Sequence, residues 1–235
     1  MKVHLLEVIM KRVSLSVVLF LVVVACSTIS WAEGYLPLEG SIGFGARVYG
    51  VFPKGDTFMG QKLDFKDGVG GEVNVTYRFL KYFALEGGVG YTETDVRNKT
   101  LGVKWAKIDM LPIYAALQLR WISRKPEELK WIVPYASIGG GYYMLDIEEK
   151  SGLRNFWLPL GVGANLDIDD TFFFQLGGGF DIFLTEHFAL NIDGRYAWAK
   201  TDIDETLSTG LVSRTLGDTI NLNAAFIAAG FKFYF

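Results

Sequence analysis

Residues 72–79 read EVNVTYRF, and their order decides the fold. Val73, Val75, Tyr77 and Phe79 fall on one side of an extended chain, with Glu72, Asn74, Thr76 and Arg78 on the other. A strand sends successive side chains to opposite faces, so this alternation is a strand period and not a helical one. The pattern repeats along the chain. FALEGGVGYT (83–92) sets Phe83, Leu85, Val89 and Tyr91 against Glu86, Gly88, Gly90 and Thr92. LPIYAALQLRW (111–121) sets Leu111, Ile113, Leu117, Leu119 and Trp121 against Gln118 and Arg120. FFFQLGGGFDIF (172–183) sets Phe172, Phe174, Leu176, Phe180 and Ile182 against Gln175 and Asp181. HFALNIDGRYAW (187–198) sets Phe188, Leu190, Ile192, Tyr196 and Trp198 against Asn191, Asp193 and Arg195.

The periodicity predicts eight strands, near 40–51, 68–80, 83–95, 105–121, 131–147, 171–184, 187–200 and 219–235. Short connections at 81–82, 122–130 and 185–186 alternate with long polar ones at 52–67, 96–104, 148–170 and 201–218. That layout is an all-β, closed, up-and-down antiparallel transmembrane barrel, with an even strand count placing both termini on the periplasmic side. The apolar face then meets lipid and the polar face lines the interior. Aromatic residues at both strand ends support this. Phe79, Phe83, Trp121, Trp131 and Phe188 flank the short turns, and Tyr91, Trp105, Phe172 and Trp198 lie toward the long loops, as two girdles. The competing reading is a soluble sandwich or lipocalin-like barrel with its apolar face inward. In the closing strand, Phe231, Phe233 and Phe235 share the lipid face and Lys232 and Tyr234 the other; Ile220 and Leu222 have the opposite parity to Phe231, which a bulge near 224–228 would reconcile.

Composition agrees. With 18 Phe, 11 Tyr, 27 Gly and only 6 Pro in 235 residues, the chain is neither disordered nor collagenous. Beyond residue 32 no apolar run reaches the roughly 18 residues of a membrane helix. Lys11 and Arg12 precede the apolar VSLSVVLFLVVVA (13–25), and Ser30 and Ala32 form a small-x-small end, so residues 1–32 read as a signal peptide cleaved after Ala32, leaving a barrel domain at 33–235. Met10 is an alternative start, and VVAC (23–26) an alternative lipobox that would make Cys26 a lipidated terminus. Residues 1–32 hold three basic and one acidic residue, so 33–235 carries 20 basic and 25 acidic. Nothing in that balance suggests nucleic acid as a partner, and without Cys26 there is no thiol for a disulfide or a metal.

An eight-stranded barrel has an interior just wide enough for its own side chains. The inward set comprises Arg47, Glu72, Arg78, Glu86, Gln118, Arg120, Gln175, Asp181, Asp193 and Arg195. Four positive and four negative groups suggest a paired network, not an ion filter of one sign. If 81–83 form a turn, Arg78 faces Glu86, Val75 faces Val89 and Val73 faces Tyr91. If 185–187 form the next, Asp181 faces Asn191, Gly179 faces Asp193 and Gly177 faces Arg195, the glycines either making room for charged chains or relieving barrel strain.

No enzyme constellation emerges. His187 is the one histidine of 33–235 and sits at a turn, without a nucleophile and acid beside it. LDIDD (166–170) lacks the glycine and spacing of a calcium loop and reads as a solvated loop. The GGG runs at 139–141 and 177–179 lie in strands with no helix following, so they are not phosphate cradles. No catalytic, cofactor or metal residue is assigned.

LPIYAALQLRW, VPYASIGGGYY (133–143), GGGFDIFLTEHFALNIDGRYAW (177–198) and the terminal GFKFYF, in that order and spacing, resemble the OmpW-like outer-membrane barrels and, more broadly, the OmpA-type small-barrel superfamily. The resemblance is clearest over 105–235. The departure is at 148–170, where FWLPLGVGANLDI could add a hairpin and give ten strands. The resemblance implies passive passage of small apolar solutes through a narrow interior, with possible sideways exit into the membrane, and no cofactor. Pro112 and Pro134, which interrupt strand hydrogen bonding, fit a lateral exit between the fourth and fifth strands; the bland alternative is that both are tolerated at strand ends. The aromatic closing strand, Phe231, Phe233 and Phe235, resembles the signal read by barrel-assembly machinery. The expected setting is the outer membrane of a Gram-negative bacterium, the expected partners its lipid and lipopolysaccharide, and the expected state a monomer. The alternative function is a closed structural or adhesive barrel that acts through its external loops, its interior plugged by salt bridges.

Overall fold

The computed structural model describes residues 40–58, 61–98, 103–122, 131–149, 163–209 and 212–235. The signal segment, with its alternative start at Met10 and Cys26, lies outside them, as do most of the 122–130 connection and residues 150–162.

Twelve strands are present: β1 (Ile42–Pro53), β2 (Asp56–Phe58), β3 (Gln61–Phe65), β4 (Gly68–Leu80), β5 (Phe83–Asn98), β6 (Val103–Arg120), β7 (Ile132–Glu149), β8 (Gly163–Ile168), β9 (Thr171–Phe183), β10 (Phe188–Thr209), β11 (Val212–Asn221) and β12 (Ala224–Tyr234). Eight of them close a barrel in the order β5-β4-β1-β12-β10-β9-β7-β6, with β6 returning to β5, every pair antiparallel. Closure matters because lipid offers backbone groups no partner and a free edge would leave a row of them bare.

The other four strands are continuations. β2 pairs β3 in the register of β1 with β4, β3 and β8 extend the walls against β5 and β10, and β11 extends β12 along β10. The barrel is therefore eight-stranded. Within 52–67, 96–104, 148–170 and 201–218, expected as loop, the described residues are mostly strand that lengthens the barrel beyond the lipid. The hairpin that would give ten strands is not present among the described residues: 163–168 pairs β10, not a new partner.

One change of solvent explains why those extensions looked like loops. At a common height the outward residue of every barrel strand switches from apolar to polar: Phe52 to Lys54, Val69 to Asp67, Tyr91 to Glu93, Leu111 to Asp109, Met144 to Asp146, Phe172 to Asp170, Trp198 to Lys200 and Ala225 to Asn223. Below this collar the outside is apolar and the inside polar. Above it the inside becomes apolar, where Phe65, Val96, Ala106, Ile108, Met110, Ile168, Ile203 and Ile220 form one buried cluster. The lower wall is solvated by lipid and the upper wall by water, so the same fold obeys opposite burial rules at its two ends.

Ile220 and Leu222 follow from this. The register of β10 with β11 (Lys200 opposite Asn221) runs on unshifted into β10 with β12 (Ala197 opposite Ala224). No bulge reverses the parity; Ile220 faces inward because inward is the apolar side at that height. A one-residue shift does occur where β8 meets β9, at Asp169–Asp170, placing LDIDD in a strand end and its break instead of a solvated loop.

In the lipid band, aromatic pairs bridge neighbouring strands. Phe79 stacks on Phe83 (6.4 Å), Phe188 on Phe231 (6.1 Å), and Phe44 meets Phe235 edge-on (6.0 Å) at the turn end. Tyr142–Phe172 (4.9 Å) and Phe174–Trp198 (5.7 Å) do so at the loop end. Phe231, Phe233 and Phe235 all belong to this outer wall, with Phe235 paired through the backbone to Ile42 of β1.

Candidate functional site

The lower interior is filled by a charged network to which all eight barrel strands contribute. Its hub is Glu86 of β5, 3% exposed. One carboxylate oxygen accepts from Arg47 Nη2 (2.5 Å) and lies 3.1 Å from Tyr114 Oη, and the other accepts from Lys232 Nζ (2.7 Å), Gln118 Nε2 (2.9 Å) and Thr76 Oγ1 (3.2 Å). Glu72 of β4 takes Arg47 Nε (2.6 Å), Tyr114 Oη (2.9 Å) and Arg195 Nη2 (2.8 Å). Asp181 of β9 binds Arg120 Nη2, Asn191 Nδ2 (2.6 Å) and Tyr234 Oη (2.9 Å). Asp193 accepts from Tyr135 Oη (2.7 Å) and pairs with Arg195 Nε (2.6 Å). The guanidinium of Arg195 lies over Tyr114 (5.4 Å), and Lys232 over Tyr135 (5.5 Å).

Arg47, Arg120, Arg195 and Lys232 thus balance Glu72, Glu86, Asp181 and Asp193. Removing so many charges from water costs several kcal/mol each, and multiple short contacts per group offset that cost. The result is a rigid floor of no net charge.

All ten residues expected to line the interior are buried on the inner face, but they are not one group. Arg47, Glu72, Glu86, Gln118, Arg120, Asp181, Asp193 and Arg195 form the floor. Arg78 lies at the turn end, donating to Lys81 O (3.3 Å). Gln175 sits above, 5% exposed. The expected Arg78–Glu86 pair is corrected. The β4–β5 turn is two residues with a register shift between Tyr77 and Leu80, so Thr76 faces Glu86 and Val73 faces Val89. The second expected register matches: Asp181 faces Asn191, Gly179 faces Asp193 and Gly177 faces Arg195. A Cβ on Gly177 would lie 2.6 Å from Arg195 Cγ and 2.7 Å from Gly194 O. Gly177→Ala should therefore destabilise the barrel by about 1–3 kcal/mol in a urea titration in vesicles.

Lys232, Tyr234, Tyr114, Tyr135 and Asn191 belong to the floor without having been singled out as sites. The parity of the closing strand placed Lys232 and Tyr234 inside; only their reach across the lumen was not legible.

Above the floor the lining turns apolar. Tyr49, Val51, Ala224 and Ala228 form one buried cluster against Phe226. Tyr114, Ala116, Tyr143, Phe173, Ala197 and Ala199 form a second. The space left among Val51, Phe65, Ile108, Met110, Tyr143 and Phe226 is about 20 Å³, room for roughly one water molecule. Above the collar the wall comprises two sheets, β2-β3-β5-β6-β7 and β8-β10-β11. Among the described residues no strand pairing joins β7 to β8 or β2 to β11.

The two prolines act differently from the expectation. The β6–β7 ladder is unbroken from Ala106–Glu149 to Arg120–Tyr135, across Pro112. The lapse is on the other side, where β5–β6 pairing skips Gly90 and Tyr91 opposite Pro112 and Leu111. Pro134 lies at the end of the β6–β7 ladder, its carbonyl accepting from Trp121 N (2.9 Å). The ladder between the fourth and fifth strands is unbroken; the lapse in pairing is between the third and fourth. His187 is exposed at the β9–β10 turn, with Nδ1 3.0 Å from Tyr234 O and its ring stacked on Phe233 (5.9 Å).

Residues 18–235 match the outer membrane protein β-barrel domain family. The chain belongs to that family. Its location is therefore the outer membrane, and the lipid-facing reading of the lower wall stands over the soluble alternative. Solved structures agree in fold. The outer membrane protein OprG from Pseudomonas aeruginosa superposes with a TM-score of 0.69 at 18% identity, over 85% of this chain and 98% of that one. The AlkL outer membrane protein in lipid bilayers gives 0.57 at 19% identity, over 88% and 95%. Neisserial surface protein A gives 0.52 at 12%, over 83% and 99%. No curated protein matches the sequence. These neighbours share the fold of a small outer-membrane barrel.

Proposed function

We propose that this barrel gives small apolar solutes a passive route across the outer membrane, with its turn end and termini in the periplasm and its upper extension among lipopolysaccharide. The carrying observation is the layering of the interior: an apolar upper interior rests on a floor of balanced, mutually bonded charges. Such a floor blocks hydrated ions and offers no gain to an apolar solute that would have to cross it. Solutes entering the chamber leave sideways, and the lapse in β5–β6 pairing at Pro112 is the weakest part of the wall at that height. Pro112→Ala restores a backbone donor there. It should slow solute uptake several-fold and leave the folded barrel intact; undiminished uptake would place the exit elsewhere.

The second reading is a plugged structural barrel that acts through its loops, and the small chamber volume favours it. Uptake and conductance separate the two. Uptake without ion conductance supports the route, and silence in both supports the plug. We infer that Phe231, Phe233 and Phe235 also present the closing strand to the assembly machinery, and that the barrel is a monomer with lipid and lipopolysaccharide as its surroundings.

A further inference from the structure

At the boundary between floor and chamber, several buried polar atoms have no hydrogen-bond partner among the described residues: Tyr49 Oη, Thr92 Oγ1, Thr94 Oγ1 and Gln175 Nε2. Their residues are 3%, 2%, 3% and 5% exposed. Leaving such a group buried and unbonded costs about 1–3 kcal/mol, so a row of them calls for an occupant.

Their arrangement is built by neighbouring glycines. Tyr49 of β1 is opposite Gly70 of β4, which is opposite Thr92 of β5. Without a side chain at Gly70, the Tyr49 ring lies across β4; a Cβ there would stand 2.5 Å from its Cε2. The hydroxyl reaches β5, where a Cβ on Gly90 would stand 2.9 Å from it. Thr94 is one inward position above Thr92, and a Cβ on Gly68 would lie 3.0 Å and 3.5 Å from the two threonine hydroxyls. Tyr49, Thr92 and Thr94 thus make a ladder of hydroxyls that climbs from the charged floor into the chamber, which Thr94 lines directly.

We propose that this ladder is the head-group subsite of the chamber, and that the ligand is an apolar chain ending in one small neutral hydrogen-bonding group, such as a primary alcohol, and not a plain hydrocarbon or a carboxylate. Three observations select that class. The three hydroxyls both give and accept hydrogen bonds, as an alcohol does, and the Gln175 NH₂ gives them. The floor beneath is charge-balanced, leaving no excess cation to hold a carboxylate. The space beside Thr94, about 20 Å³, admits a hydroxyl-sized group and no hydrated ion. The chain would rise among Phe65, Met110, Leu222 and Phe226, where the two upper sheets meet through side chains and, among the described residues, no strand ladder joins them. A mostly apolar pocket with a few convergent polar groups is the usual form of a small-molecule site.

The inference rests on the transport reading only for why a ligand enters, and its test is an equilibrium measurement. The refolded protein in lipid nanodiscs is titrated with 1-hexanol and with hexane, following the methyl NMR signals of Thr92 and Thr94. The expected result is a saturable shift of both methyls, with apparent affinity for 1-hexanol roughly tenfold or more above that for hexane, the value of one or two net hydrogen bonds. In the triple variant Y49F/T92V/T94V, followed by the Phe226 ring signals and by heat-dependent gel mobility to confirm folding, the preference should fall to near one. Equal affinities in the unaltered protein, or a preference the triple variant retains, would overturn the proposal and leave the hydroxyls to bound water. Preferential binding without uptake would overturn the transport reading and leave the subsite standing.

Discussion

Replacing Glu86 with alanine should lower the unfolding free energy by about 3–5 kcal/mol, the cost of breaking a buried ion pair from one side. Glu86 is the acceptor shared by Arg47 and Lys232, and the variant leaves both cations short of a counter-charge in a space that holds no bulk water. The same loss should open the floor, so that a barrel that is silent in a planar bilayer shows small reproducible ion steps, with anions favoured by the one net positive charge left in the floor. E86A/K232A removes one of the stranded charges and should recover part of the stability. Arg78→Ala, at the turn end where Arg78 donates to Lys81 O, should cost less than E86A and leave conductance as it was. A Glu86→Ala barrel as stable and as silent as the parent would mean that the floor is not a plug.

The second large effect tests the change of solvent at the collar. Val73→Arg places a charge on the outer wall within the lipid band and should cost about 2–4 kcal/mol. Thr219→Arg, outward above the collar, should change stability by no more than about 0.5 kcal/mol. Ile220→Arg, one residue along, turns a charge into the upper core, where Ile220 is fully buried, and should cost about 2–4 kcal/mol by the burial of an unpaired charge. Urea unfolding in vesicles reads all three. Equal costs at Thr219 and Ile220 would remove the inversion, and a harmless Val73→Arg would remove the lipid face.

The inversion also explains what was legible in the sequence. Alternation of two was readable wherever lipid met one face, so β4 was bounded to the residue and the β9–β10 register followed from a short turn. Above the collar the apolar residues turn inward while charges such as Asp202 and Asp204 turn outward. The parity there is reversed relative to the lower strand, and short polar-rich stretches with breaks at 54–55, 66–67, 169–170 and 222–223 read as loops. The Arg78–Glu86 pairing failed because the register shift between Tyr77 and Leu80 moves the partner by two residues, and nothing in TYRFLKYF marks it. Lys232 was visible as an inward residue, but its bond to Glu86, 146 positions away in the chain, depends on where the barrel closes.

The central claim, that the chamber carries apolar solutes while the floor stops ions, meets its most direct test in vesicles whose outer leaflet is lipopolysaccharide, which hinders direct entry of apolar solutes. Uptake of a small apolar solute is recorded with and without the refolded barrel, with ion conductance measured on the same preparation. The account predicts uptake several-fold above empty vesicles with no ion current. Uptake equal to empty vesicles, with the barrel shown to be folded, would contradict it and move the search for function to the external loops.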